Sequence, residues 1–261
     1  MGILNVTPDS FSDGGRYLAS DAAIQRGLEL WKEGATVVDV GGESTRPGAE
    51  PVPLPEELNR VLPVIRGLSS RAPGALISVD TSKPEVAERA LAAGACLVND
   101  VTAGTDPKML EVVVQEGAGI ILMHMRGTPK TMQQNTRYAN VVAEVAEFLW
   151  ERAERATAAG LPKSHIFLDP GIGFGKDLEG NLSLLRAFSQ LAATGFPLVL
   201  GVSRKSFIGH LTGAPVEDRL PGSLAALLVA LPCPHVMVRV HDVAATLQFL
   251  KVARAVGPWA S

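Results

Sequence analysis

The chain lacks the marks of several protein classes. Two cysteines, Cys96 and Cys233, in 261 residues are too few for a disulfide framework. Both stand in apolar stretches, so they are expected in the core of a protein of the reducing cytoplasm. No basic stretch followed by an apolar one opens the sequence, and no apolar run approaches the roughly 18 residues that span a bilayer, so no membrane association is expected. No run of Lys or Arg forms a stripe and the net charge is −3. Nucleic acid is therefore not an expected partner, and an anionic ligand must be met by local basic residues. A Ser-His-Asp order, zinc-ligand spacing and a Gly-rich phosphate loop are also missing, which leaves hydrolase and metalloenzyme readings without an anchor.

What is present is a repeated alternation. Hydrophobic residues make up 46% of the chain, enough for a sizeable core. They fall into short runs followed by longer segments of helical period, with Gly or Pro at nearly every switch. The runs are residues 1–6, 36–40, 76–79, 96–98, 119–123, 165–168, 197–200 and 235–240. The helical segments are 21–33, 55–68, 84–93, 107–116, 138–159, 182–191, 223–230 and 243–255. Runs that are apolar on both faces indicate a parallel sheet covered by helices. Eight such units with no linker predict the α/β class and a single-domain TIM (β/α)8 barrel over 1–261. A doubly wound open sheet is the rival, but the Gly-x-Gly-x-x-Gly fingerprint after the first strand is missing.

In such barrels the C-terminal strand ends and the loops after them build the active site. In chain order those ends carry Asn5, Asp39 with Glu43, Asp80, Asn99, Met123-His124, Asp169, Ser203-Arg204-Lys205, and Arg239 with His241. Converging carboxylates and cations are expensive unless a ligand uses them. Arg204, Lys205, Arg239 and His241, joined by Arg46, suit a cationic pocket for phosphate. Asn5 is a neutral oxygen donor of the kind Mg²⁺ accepts beside waters and substrate phosphates. Asp80, Asn99 and Asp169 suit the adjacent N–H donors of a flat heterocycle. Met123 and Phe174 are core residues by default, though either can stack on a flat ring. His124 reads as a hydrogen-bonded wall residue. Two loops, Thr7 to Arg16 with Phe11 between two acids and Gly41 to Gly48 with Arg46, read as mobile lids.

These residues resemble a known family. Met1-Gly2-Ile3-Leu4-Asn5-Val6-Thr7-Pro8-Asp9-Ser10-Phe11-Ser12-Asp13-Gly14-Gly15, together with Asp39 to Gly48, Ser78 to Pro84, Leu168 to Lys176, Ser203 to Ser206 and Arg239 to Asp242, is similar to the dihydropteroate synthases of folate biosynthesis. The resemblance implies condensation of (7,8-dihydropterin-6-yl)methyl diphosphate with 4-aminobenzoate to 7,8-dihydropteroate and diphosphate, with Mg²⁺, by a dissociative route. Carried over by position, it implies that Asp80, Asn99, Asp169 and Lys205 bind the pterin, with Met123 and Phe174 lining its slot. Asn5, Arg239 and His241, with Arg46, would hold the diphosphate, and Asn5 the Mg²⁺. Phe11, Asp13, Thr45, Arg46, Pro47 and Ser206 would form the 4-aminobenzoate pocket and its lids. The family further implies a homodimer through late helices. It usually carries a segment before the first motif, whereas this chain is expected to start at the first strand. The alternatives are a methyltetrahydrofolate-dependent methyltransferase and a catalytically silent pterin-binding protein of the same fold.

Overall fold

The computed structural model describes residues 1–7 and 15–257, with residues 15–18 described by backbone alone. Strands and helices alternate in the order β1 (Gly2–Asn5), α1 (Gly15–Lys32), β2 (Val37–Gly41), α2 (Leu54–Arg71), β3 (Leu76–Asp80), α3 (Pro84–Ala92), β4 (Leu97–Asp100), α4 (Pro107–Gln115), β5 (Gly119–Met123) and α5 (Val141–Ala158). The second half continues with β6 (Ile166–Asp169), α6 (Leu178–Arg186), α7 (Phe188–Ala192), β7 (Leu198–Leu200), α8 (Ser206–Thr212), α9 (Leu220–Ala226), β8 (Val236–Val238) and α10 (Val243–Val256).

The strands lie parallel in the order of the chain. A parallel bridge between Gly2 and Val240 joins the last strand to the first. The Ile3 amide donates to the Val240 carbonyl at 2.9 Å and the Val240 amide to that of Met1 at 3.0 Å, which closes the barrel. Helix ends follow local chemistry. Asp106, Asn140 and Asp177 cap α4, α5 and α6 by accepting from the amides of Lys108, Ala143 and Gly180, and Pro opens α3 and α4, where a missing N–H costs nothing.

Strand parity divides the core in two, because successive side chains alternate between faces. Val38, Val40, Ile77, Val79, Val98, Ile120, Leu122, Leu168, Leu198 and Leu200 face outward into the large helix-covered core. The opposite set, Val37, Leu97, Ile121 and Val199 with Phe167 and Met237 packed against them, plugs the barrel interior. That same inward parity reaches Asn5, Gly41, Asp80, Asn99, Met123 and Asp169 at the C-terminal ends. Register places Asn5 beside Gly41, Gly41 beside Asp80, Asp80 beside Asn99, and Met123 beside Asp169.

Three local expectations change. The helix expected at 223–230 is α9 followed by a 3-10 turn, Leu227–Ala230, and α8 precedes it unannounced. Seven residues ending on Gly213, in the left-handed region at φ 74°, are too few to show a helical period. The segment expected at 182–191 is two helices that break at Ala187. Cys96 is exposed and Cys233 half-buried rather than core, because Cys96 stands just before β4, where its thiol donates to the Ile77 carbonyl at 3.6 Å.

Ile121 is fully buried in the interior plug, where the closed ring of strands limits collapse around a void. Ile121→Ala is expected to lower unfolding free energy by about 2–5 kcal/mol, read by chemical denaturation. A loss well under that range would mean that the plug is loosely packed.

Candidate active site

The mouth of the barrel is built on a buried ion network. Arg239, one residue past β8, donates through Nε to Asp39 Oδ2 and through Nη2 to Asp80 Oδ2, both at 2.7 Å. Asn99 Nδ2 donates to the same Asp39 oxygen at 3.1 Å. Asp39 is fully buried in the middle of β2; its other oxygen, Oδ1, has no hydrogen-bond partner among the described residues. Burial drives the Asp80 carboxyl up to about 7 against the pull of Arg239. The carboxylates conversely hold the Arg239 guanidinium above its ordinary range, outweighing burial. Asp39 was legible as a polar strand-end residue, but not as the group that holds both Arg239 and Asn99.

Across the mouth, Asp169 Oδ1 accepts from the Gly171 amide at 2.7 Å. Burial raises its carboxyl while Lys205 opposes. Lys205 donates to the Ile172 carbonyl, and its Nζ stands 4.5 Å from the centre of the Phe174 ring. Burial pushes this ammonium down to about 8, with Asp169 resisting. Two inward positions carry no side chain. A Cβ on Gly41 would stand 3.7 Å from Asp80 Oδ2 and 3.8 Å from Asn5 Oδ1, and one on Gly201 would stand 3.9 Å from both Asp169 Oδ2 and Lys205 Nζ. The glycines put backbone rather than a side chain beside these polar atoms at the mouth of the barrel.

The loop after β6 hangs on Lys176, a residue of the glycine motif whose role no local pattern reveals. Its buried Nζ lies 3.0 Å from His124 Nδ1 and donates to the carbonyls of Gly171 at 2.9 Å and Phe174 at 2.8 Å. His124 is a hydrogen-bonded wall residue, as expected. Burial, and then the Lys176 charge, pushes its ring down to about 3, so it is neutral. Gly171 sits at φ 65°, and a Cβ there would fall 1.9 Å from the His124 carbonyl oxygen. Only glycine allows that approach, and it locks the Asp169 and Phe174 wall to the end of β5 behind Met123.

The cations expected for phosphate are less free than the sequence suggests. Arg204 makes a two-pronged pair with Asp242, at 2.9 and 2.7 Å, so its charge is largely matched. His241 Nδ1 lies 3.0 Å from Ser203 Oγ. Burial, followed by Arg239 and Arg204, pushes the imidazole down to about 4. His241 is therefore neutral at pH 7 and offers hydrogen bonds rather than charge. Arg46, exposed in the loop after β2, is near enough to add to that depression. Thr45 and Pro47 share its loop, and exposed Ser206 opens α8. Phe11 and Asp13 lie outside the described residues.

The structure thus brings Asn5, Asp80, Asn99, Met123, Asp169, Phe174, Lys205, Arg239 and His241 to one mouth. The family described as pterin binding enzyme matches residues 1–241, and barrel and slot accordingly define the class: a pterin-binding barrel enzyme. The chain is 46% identical over 256 residues to the dihydropteroate synthase of Escherichia coli K12, covering 98% of this chain and 90% of that protein. A structure of the Xanthomonas albilineans dihydropteroate synthase with 4-aminobenzoic acid superposes with a TM-score of 0.91 at 48% identity, covering 98% and 92% of the two chains. Another, in complex with 7,8-dihydropteroate, gives 0.87 at 45% identity with the same coverage. The chain belongs to the dihydropteroate synthase family, transferases of the pterin methyl group.

A lowered imidazole pKa gives a linkage with a definite sign. The folded protein binds fewer protons at His241 than the unfolded chain between about 6.5 and 4. Its contribution to stability is therefore full above 6.5 and lost as pH falls through 4. Imidazole NMR resonances are expected to place the His241 midpoint near 4. A midpoint at an ordinary histidine value would mean that burial does not depress the ring, and would remove this linkage.

Proposed function

We propose that the chain condenses (7,8-dihydropterin-6-yl)methyl diphosphate with 4-aminobenzoate, releasing diphosphate and 7,8-dihydropteroate. The observation that carries this reading is the set of buried polar groups gathered at the barrel mouth, Asp80 beside Asn99 and Asp169 near Lys205, with glycine at the inward positions 41 and 201. A carboxylate meets the amino-pyrimidinone edge of a pterin with two parallel hydrogen bonds, and a buried site of this kind rejects analogues that leave its groups unpaired. The ligands in the two Xanthomonas structures support the same substrate pair.

In this reading Met123 and Phe174 line the slot, Lys205 and Asp169 hold the pterin ring, and Asn5, Arg239, His241 and Arg46 meet the diphosphate. Thr45, Arg46, Pro47 and Ser206, together with Phe11 and Asp13, form the aminobenzoate side. The bond from the pterin methylene carbon to the bridging oxygen breaks first, with both electrons leaving on diphosphate. The amine nitrogen of 4-aminobenzoate then attacks the resonance-stabilised cation and gives up a proton. Asp80 and Asp169 offset the charge growing on the pterin, and Arg239 faces the departing anion from a pre-set position. No covalent nucleophile on the protein is required.

A magnesium ion fits the donor set. Asn5 Oδ1 and Asp80 Oδ2 border the same space above Gly41, and no cluster of three or more His, Cys, Asp or Glu ligands occurs among the described residues. Mg²⁺ commonly takes one or two protein oxygens, with water and substrate phosphate completing its shell, so Asn5 is the residue proposed to hold it. When bound, the ion would stabilise negative charge on the diphosphate. Among the described residues no helix is long and apolar enough to cross a membrane. Val252 and Val256, exposed one turn apart on α10, support a homodimer through late helices.

Two measurements test the reading. Purified protein with both substrates and Mg²⁺ is expected to form dihydropteroate and diphosphate, and Lys205→Ala to abolish turnover; no product from the unaltered protein would refute the function. Asp169→Asn is expected to weaken pterin binding by about 1.5–3 kcal/mol, the order of a lost charged hydrogen bond. Unchanged affinity, measured calorimetrically, would remove Asp169 from the pterin site.

A further inference from the structure

We infer that Glu43 and Lys83 are positioning residues that fix the loop carrying Thr45, Arg46 and Pro47 to the frame of the slot, and so set 4-aminobenzoate affinity. The inference rests on the proposal that this loop meets 4-aminobenzoate. Lys83, at the start of α3, binds the carboxylates of Glu43 and Glu57 together. Glu57, on α2, is fully buried, and a carboxylate there is costly without partners. Lys83 Nζ serves its Oε2, and Thr81 Oγ1 donates to its Oε1 at 2.7 Å. Glu43 has a second duty. Its Oε2 also accepts from the Val52 amide at 3.0 Å, so one carboxylate closes the loop between residues 43 and 52 and ties it to α3.

The backbone just before the loop is held as firmly. Arg60 Nη1 donates to the Gly42 carbonyl at 2.7 Å. Gly42 lies so close to α2 that a Cβ would stand 2.7 Å from Val61 Cγ1 and 3.2 Å from Glu57 Cγ. The tip is held more lightly, by the Gly48 amide on the Pro129 carbonyl at 3.1 Å and an exposed Lys130–Glu50 pair, of a kind that contributes little. On the other side the network starts beside the slot. Thr81 directly follows Asp80, and its amide donates to the Asn99 carbonyl at 3.1 Å. The Glu57–Lys83–Glu43 chain thus runs from the backbone of two slot residues to a point two residues before Thr45. Neither Glu43 nor Lys83 is needed to touch substrate; each acts by where it puts the loop.

Glu43→Ala tests this without exposing the buried Glu57: it removes the one oxygen, Oε2, that accepts from both Val52 and Lys83, while the Lys83–Glu57–Thr81 contacts stay. It is expected to raise KM for 4-aminobenzoate about ten-fold, with KM for the pterin diphosphate within about two-fold, because small displacements of positioning groups are costly. Lys83→Arg, which keeps a cation between the carboxylates of Glu43 and Glu57, should stay near the unaltered protein in both KM values. Hydrogen exchange in Glu43→Ala is expected to quicken over residues 44–50 and not around Asp80 or Asn99. Equal shifts in both KM values, a fall in melting temperature alone, or unchanged loop exchange would each overturn the inference. Exchange is read without turnover, so it decides the inference even if the unaltered protein makes no dihydropteroate, the result that would instead sink the functional reading.

Discussion

The structure depends on one buried contact, the Arg239 guanidinium held between Asp39 and Asp80. Through it and the Asn99 amide, four strands, β2, β3, β4 and β8, are joined across the mouth by side chains as well as by the ladder. Removing one partner from a buried ion pair typically costs about 3–5 kcal/mol, because the other charge is left uncompensated. The arrangement is therefore an all-or-none frame rather than a set of independent groups. It also orients the guanidinium before a ligand arrives, so little reorganisation is needed when charge develops.

The opposite wall is organised by backbone instead of charge. Lys176 collects the carbonyls of a loop that has few side chains of its own, and Gly171 lets that loop approach His124 closely enough to be held. Gly41 and Gly201 act through what they omit, since a larger inward side chain at either would press on the carboxylates of Asp80 or Asp169. A rigid frame on one side and a clamped loop on the other suit a site for a flat ligand.

Much of this was legible in the chain. Asp169 is legible because the apolar run 165–168 ends directly on a carboxylate. Asp80 and Asn99 followed from the same position on neighbouring strands. Asp39 was visible but not its task, because its partners are 60 and 200 residues away in sequence. His241 and Arg204 were read as cations from residue type alone. Burial leaves the first neutral and Asp242 matches the charge of the second. Neither depends on anything a local pattern records.

The sequence by itself determined the number of βα units, their parallel order and the polar residue at nearly every strand end, because hydrophobic period and turn chemistry are local. Tertiary structure alone decided which of those polar groups are spent on one another and which face the slot. Burial, ion pairing and the approach of Gly171 to His124 arise only when distant strands close into one ring, where desolvation and Coulomb attraction reset the charge each residue carries.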